Sequence, residues 1–262
     1  MTPLRWAKVR VLAMPYVVVV LLLVLWEVLN RLTNISSVIL PAPSTIFSAL
    51  IRYHEVIAEN AVHTFVTAMI GFGLGVVTGV VIGFATGISP AIYSSVYPLL
   101  VAFNAIPKVA LLPLFVLWAG IGMVPAVLTA LTLAFFPIAV NVATGLATID
   151  PEMNDLMRSL GARQDEILLK VGIPRAMPFP FASLKIAISL AFVGTVISET
   201  VASNDGIGFL MMSASSSFNV PLVFAGLFIL AALGVALYAG FSLIEGRVTG
   251  WAVRSETFTG GG

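Results

Sequence analysis

Long apolar runs separated by short polar breaks fill this chain almost from end to end. They lie near residues 12–31, 65–88, 94–119, 124–147, 181–202 and 221–244. Each is long enough for a helix to cross a hydrocarbon core of about 30 Å. The short alternating segments that build a membrane β-barrel are absent. The pattern therefore predicts an all-α, polytopic membrane protein with six transmembrane helices in a single domain, 1–262. Pro107 and Lys108 interrupt the third run. Composition agrees: 59% of residues are hydrophobic and only 10% charged, against about a quarter charged in a soluble domain. Cysteine is absent, which excludes disulfides and thiolate metal sites.

Where the charges sit says more than their formal sum of +1. Arg5, Lys8 and Arg10 precede the first run, and no small-residue cleavage pattern follows it, so it reads as an uncleaved first span. Lys and Arg recur in the 148–180 loop (Arg158, Arg163, Lys170, Arg175) and at Arg247 and Arg254, whereas Arg31 and Arg52 nearly exhaust the other side. The positive-inside rule places both termini and that loop in the cytoplasm. The expected location is a membrane crossed several times.

Gly71, Gly75, Gly79, Gly83 and Gly87 recur every fourth residue in the second run. Small residues at that spacing let two helix backbones approach closely, either as a sliding or dimer seam or as packing within the chain. Between the first two runs, Pro41 and Pro43 stop the chain and Ser44 offers a cap. Ile46, Phe47, Leu50 and Ile51 then form one apolar face of a short helix expected along the outer membrane surface. His54 and His63 have no ligand-like neighbours, and no metal site is expected.

The one strongly polar block is Asp150 to Pro174, DPEMNDLMRSLGARQDEILLKVGIP. Asp150 suits an N-cap, Pro151 the first helical position, and Glu152 the positive end of the helix dipole. Asp155 and Arg158 are spaced to pair, and Gly161 suits a left-handed helix end. A second helix is expected from about Ala162, with Asp165 and Glu166 early, Lys170 four residues after Glu166, and Ile167, Leu168 and Val171 as an apolar stripe. Pro174 and Pro178 are expected to end it. Two amphipathic helices with a glycine corner predict a docking element for a soluble partner.

The spacing Asp155–(five residues)–Gly161–(nine residues)–Val-Gly-Ile-Pro174 resembles the cytoplasmic EAA loop of permease subunits of bacterial ATP-binding-cassette importers. Asp155 stands for the glutamate of that motif, and Leu156 and Met157 replace its two alanines. LPAPSTI (40–46), IPKVALLPLFVLWAGIG (106–122), FFPIAVNVATGL (135–146), IDPEMNDLMRSLGA (149–162) and GIGFLM (206–211) are similar to the branch that imports nitrate, taurine and alkanesulfonates. The resemblance implies a type I importer permease acting as a homodimer, with two copies of a cytoplasmic ATPase and an extracytoplasmic substrate-binding protein. It implies ATPase coupling through Asp155, Arg158, Gly161, Ala162, Arg163, Gln164, Asp165, Glu166, Ile167 and Pro174. ATP and Mg would be bound by the ATPase, with no cofactor in this chain. The sequence has no G-x-x-x-x-G-K-[ST] of its own. It shows no catalytic motif and nothing that suggests a nucleic-acid partner, so the chain is not expected to be an enzyme.

Glu27, Asn104, Lys108, Asn141, Lys185 and Glu199 lie in or beside apolar runs, where polar groups are costly and usually face protein interior or a watery cavity. Asn104, Lys108, Asn141 and Glu199 are the candidate pathway residues. In a straight span from Tyr93, Lys108 would lie ~22 Å deep, suited to an anionic solute; in a later-starting span it is an interface residue. Lys185 and Glu27 are expected to snorkel. The rivals are an ion-coupled secondary transporter, with Glu199 or Glu27 carrying the proton, and a membrane enzyme or scaffold.

Overall fold

The computed structural model describes residues 3–147, 151–176 and 178–248, and among them all regular structure is helical. In chain order the helices are α1 (Pro3–Thr33), α2 (Pro43–Arg52), α3 (His54–Gly87), α4 (Pro90–Asn104), α5 (Leu112–Ala119) and α6 (Met123–Ala147). They continue with α7 (Pro151–Ser159), α8 (Gln164–Ile167), α9 (Ile173–Ala176), α10 (Pro178–Ala202), α11 (Ile207–Ser216) and α12 (Val220–Val248). A 3-10 turn, Lys108–Leu111, leads into α5, and a π turn, Leu168–Gly172, joins α8 to α9.

Among the described residues, α3, α6, α10 and α12 are long and apolar enough to cross a bilayer. Pro90–Asn104 with Lys108–Ala119 makes a fifth crossing if that bent pair counts as one. The expected six are thus matched in part by this measure, and the first expected run lies within α1. The third run is not a straight span: its halves meet at 79°. Pro107 has no N–H to continue the helix and disfavours the helical region for Ile106. The straight-helix depth expected for Lys108 therefore does not apply.

The chain divides into two compact units, Met1–Glu59 with Leu210–Ile229, and Asn60–Phe209 with Leu230–Gly262. In the first, polar clamps tie α1 to the start of α2. Glu27 accepts from the Ser44 N–H (3.0 Å), the Ser44 hydroxyl (2.9 Å) and Arg31 Nε (2.7 Å), and Asn30 donates to the Leu40 carbonyl (2.6 Å). Two expectations change here. Ser44 is not a cap: Ala42 holds that position without a side-chain bond, Pro43 opens the helix, and Ser44 turns to Glu27. Glu27 in turn is bound rather than snorkelling. The apolar stripe of this helix is covered unequally: Ile46 is buried, with Ala49 beside it, while Phe47 and Ile51 are exposed. The 38–64 segment is shared between α2 and the first turns of α3, which starts at His54. Trp26 stacks on Phe228 and lies 5.9 Å from Phe224.

The second unit has its core where α3, α6, α10 and α12 meet, around Ala68, Phe72, Ala130, Ala134, Ile138, Ala187, Ile188, Ala191 and Leu237. Small residues dominate because α3 and α6 are in near backbone contact. A Cβ added at Gly71 would overlap that of Ala130. At Gly75 it would meet the Ala134 Cβ at 2.8 Å, at Gly79 the Ile138 Cβ at 2.9 Å, at Gly83 the Ala139 carbonyl at 2.6 Å and at Gly87 the Ala143 carbonyl at 2.8 Å. The glycine ladder is therefore a seam within the chain. Lys185 does not snorkel freely: it pairs with Glu245 and lies 5.9 Å from the Tyr238 ring.

Gly79→Leu is expected to force α3 off α6 and to destabilise by roughly 1–3 kcal/mol or more, the range for overpacking. Gly73, on the same helix, has no atom within 4 Å of an added Cβ, so Gly73→Ala should be neutral or stabilise by about 0.5–1 kcal/mol. Thermal unfolding of the two detergent-solubilised variants checks both; equal midpoints would show that the seam carries little.

Candidate functional site

The polar loop folds as a helix, a left-handed corner and a second helical stretch. α7 ends in a Schellman arrangement: the Gly161 N–H donates to the Arg158 carbonyl (2.9 Å) and the Ala162 N–H to that of Met157 (3.0 Å), with Gly161 at φ +82°. That geometry satisfies the last free carbonyls and requires the residue without a Cβ. Glu166 is the third residue of α8, and its carboxylate accepts the Arg163 N–H (3.1 Å) and Lys170 Nζ (3.2 Å). This is half of a capping box. The Arg163 N–H, and then Lys170, hold the Glu166 carboxyl below the usual carboxylate range. The cap's charge-dependent stabilisation is therefore present above the ordinary carboxylate pKa and fades as pH falls through the lowered one.

Of the sequence-predicted coupling residues, Asp155, Arg158, Gly161, Arg163 and Pro174 are exposed, Ala162 and Glu166 half-buried, and Ile167 buried at 2% exposure. The side chains of Gln164 and Asp165 lie outside the described residues, as does all of Asp150. The second helix starts at Gln164 rather than Ala162. Pro174 does not end it: the chain passes through the π turn into α9, which contains Pro174. A π turn just before a proline relaxes the ladder that the missing N–H would break.

The break in the third span brings Asn104 and Lys108 together. Lys108 Nζ donates to the Asn104 carbonyl (2.7 Å) and to Asn104 Oδ1 (2.9 Å), and lies 4.8 Å from the centre of the Phe136 ring on α6. The cation thus covers the open C-terminal end of α4, where a positive charge is favoured. Two of its three N–H groups are used there, and Asn104 to Pro107 are exposed. Asn141 is not part of this group, since its amide donates to the Pro137 carbonyl of its own helix (2.8 Å).

Glu199 lies elsewhere, at the end of α10 far from the polar loop. The same end is tied to the start of α6 by the Gly122 N–H on the Ala202 carbonyl (2.9 Å). Glu199 is 1% exposed, and its Oε2 accepts from the Thr64 hydroxyl (2.8 Å) and the Gly208 N–H (3.1 Å). Thr64 Oγ1 accepts the Ile207 N–H (2.8 Å), and Asn60 Oδ1 the Gly206 N–H (2.8 Å). Three successive N–H groups opening α11 are therefore met by side chains of α3 and α10, with a carboxylate at the positive end of the helix dipole. Gly206, at φ +98°, passes so close to Glu199 that an added Cβ would overlap the carboxyl. His63 Nδ1 stands 3.7 Å from Oε1, beyond hydrogen-bond reach.

Sequence reasoning flagged Glu199 but missed Asn60, Thr64, Gly206 and Gly208. The available signal was GIG at a helix start just after Ser203-Asn204-Asp205. Among the described residues, no group of three or more His, Cys, Asp or Glu is placed to hold a metal ion.

Residues 71–250 match a protein-family model described as "Binding-protein-dependent transport system inner membrane component". The chain is 31% identical to the formylaminopyrimidine transport permease protein ThiX of Halalkalibacterium halodurans, covering 90% of this chain and 95% of that one. It is 26% identical to the taurine transport system permease protein TauC of Escherichia coli, covering 94% and 92% respectively. Its fold is shared with a solved structure of the MetNI methionine ABC transporter in an inward-facing conformation, at TM-score 0.58 and 23% identity, over 77% of this chain and 96% of that one.

Removing the buried carboxylate by Glu199→Ala leaves the Gly208 N–H and the Thr64 hydroxyl unmet and opens a void. A loss of about 2–4 kcal/mol is expected. Glu199→Gln keeps an acceptor and should lose less. Thermal unfolding of both variants tests this; matching losses would mean that the acceptor is not what holds α11.

Proposed function

Because this chain belongs to the family of binding-protein-dependent transport system inner membrane components, the permease subunits of ATP-binding-cassette importers, we propose that two copies of it form the route for a small anionic solute. Nitrate, a sulfonate and taurine are the type. The ATPase is a separate subunit in such importers, and two copies of it would bind ATP and Mg and push on the 151–176 loop from the cytoplasm. Both termini share that side, and the whole chain acts as one transmembrane domain.

The observation that carries the coupling role is the loop itself. Its corner is fixed by Gly161, its second helix is capped by Glu166, and Ile167 anchors it in the protein. Asp155, Arg158 and Arg163 stay exposed for a partner. A lever must transmit force without folding up, and a capped corner with a buried anchor meets that need.

For the route, the support is the broken third span. Irregular backbone at membrane depth is tolerated only where protein covers it or water reaches it. Ala105 to Pro107 are exposed in the single chain, and Lys108 keeps one N–H for a carboxylate, sulfonate or nitrate oxygen. Glu199, buried under its own loop, serves as a strut rather than a solute contact. A heteroaromatic solute is the second reading of the cargo, favoured by the identity to a formylaminopyrimidine permease and by the Phe136 ring beside Lys108. Family membership sets aside the ion-coupled carrier.

Two sets of variants test this in liposomes holding the complete importer. Gly161→Pro, which cannot adopt the positive φ, and Glu166→Lys should leave ATP hydrolysis running while uptake falls about tenfold or more, the scale of losing ~1.4 kcal/mol of coupling. Normal uptake in both removes the lever. Lys108→Ala should raise the solute concentration for half-maximal uptake about tenfold, as for one lost charge-assisted hydrogen bond. Unchanged kinetics take Lys108 out of the route.

A further inference from the structure

α11 ends in a second Schellman arrangement, with the Phe218 N–H on the Ser215 carbonyl (3.0 Å) and the Asn219 N–H on that of Ala214 (2.8 Å). The residue in the left-handed position, where glycine is usual, is Phe218, at φ +55°. A bulky side chain there is a genuine outlier. Local geometry does not ask for phenylalanine, and neither does the core, because Phe218 is 74% exposed. An aromatic ring held in an unfavourable backbone conformation and left outside any core points to a role beyond the chain.

Its surroundings indicate the kind of role. Ser215, Ser216 and Ser217 precede it and are exposed, and Ser216 and Ser217 turn their hydroxyls back onto carbonyls of their own helix. The turn is tied down by Asn219, whose amide donates to the Tyr53 hydroxyl (3.3 Å). A fixed aromatic knob inside a polar collar is the pattern of a protein–protein hot spot. A bilayer anchor would be expected among apolar neighbours instead. Position agrees. Phe218 sits just before α12, and the far end of that helix is paired through Glu245 to Lys185, close to where α10 leaves the polar loop. α12 is long and apolar enough to cross a bilayer, and Arg247 at its far end marks the cytoplasmic side by the positive-inside rule, so Phe218 falls on the outer side.

We propose that Phe218 is a contact through which the outer face of this permease engages its substrate-binding protein, its ring entering an apolar recess on that partner. This rests on the importer reading. Ring burial in the complex is what holds the partner, and the serine collar keeps the knob soluble in its absence.

The test compares the parent complex with Phe218→Gly and Phe218→Tyr in liposomes, with the cognate ATPase and binding protein. Phe218→Gly relieves the backbone, so its unfolding midpoint should equal or exceed the parent's, and its basal ATP hydrolysis should be unchanged. Its stimulation by the binding protein should need about tenfold more of that protein, and Phe218→Tyr should restore most of the difference. Equal stimulation of parent and Phe218→Gly overturns the proposal while leaving the importer reading intact; failure of the binding protein to stimulate even the parent overturns that reading too. As the chain has no cysteine, Phe218→Cys can carry a single fluorophore. Emission that shifts on adding binding protein supports the contact. Quenching by brominated lipid, or a disulfide between two copies at this position, overturns it in favour of the bilayer or of the second subunit.

Discussion

Helices in a bilayer cannot be driven together by exclusion from water, because lipid tails are as apolar as leucine. What holds the larger unit of this protein is therefore contact at the closest distance that two backbones allow. α3 presents a glycine every turn, and α6 answers with Ala130, Ala134, Ile138, Ala139 and Ala143. The approach leaves no room for side chains at the seam, and dispersion over its whole length replaces the missing hydrophobic drive. From that fixed pair the rest takes its position. α10 packs against α6 through Ala187, Ile188 and Ala191, and the polar loop hangs between these two helices.

With the framework dry and close-packed, each polar group within it needs a defined partner. The structure meets this mostly at helix ends. Lys108 covers the carbonyl end of α4, and Glu199 receives the amide end of α11. Ser44 and Arg31 share Glu27. These groups were set apart in the sequence as functional candidates because charge at membrane depth is costly. At least two of them, Glu27 and Glu199, are now accounted for by the chain's own ends and turns. Lys108 differs, since its surroundings stay open after its structural bonds are made.

Much of this was legible beforehand, and for physical reasons. Membrane-spanning helices announce themselves by length and apolarity, so α3, α6, α10 and α12 were found. The loop corner at Gly161 and the Glu166–Lys170 pair were also found, because helix ends and four-residue spacings are local. What escaped depends on distant parts meeting. Thr64 and Asn60 look like ordinary polar residues of a helix until α11 is folded onto them. Ser44 looks like a cap until Glu27 is seen to claim it. The glycine ladder carried its spacing but not the identity of its partner, because small residues serve a seam within a chain and one between chains equally well. The bend at Pro107 was signalled as an interruption, but its angle was not.

The junction around Glu199 has a mechanical corollary. Gly206, Ile207 and Gly208 give up their N–H groups to Asn60, Thr64 and Glu199 within one turn, and Thr64 itself leans on the same carboxylate. Partial withdrawal of α11 would strand several of these donors in a place water does not reach. Small displacements of the start of α11 are therefore costly, and the junction resists them as a unit rather than bond by bond.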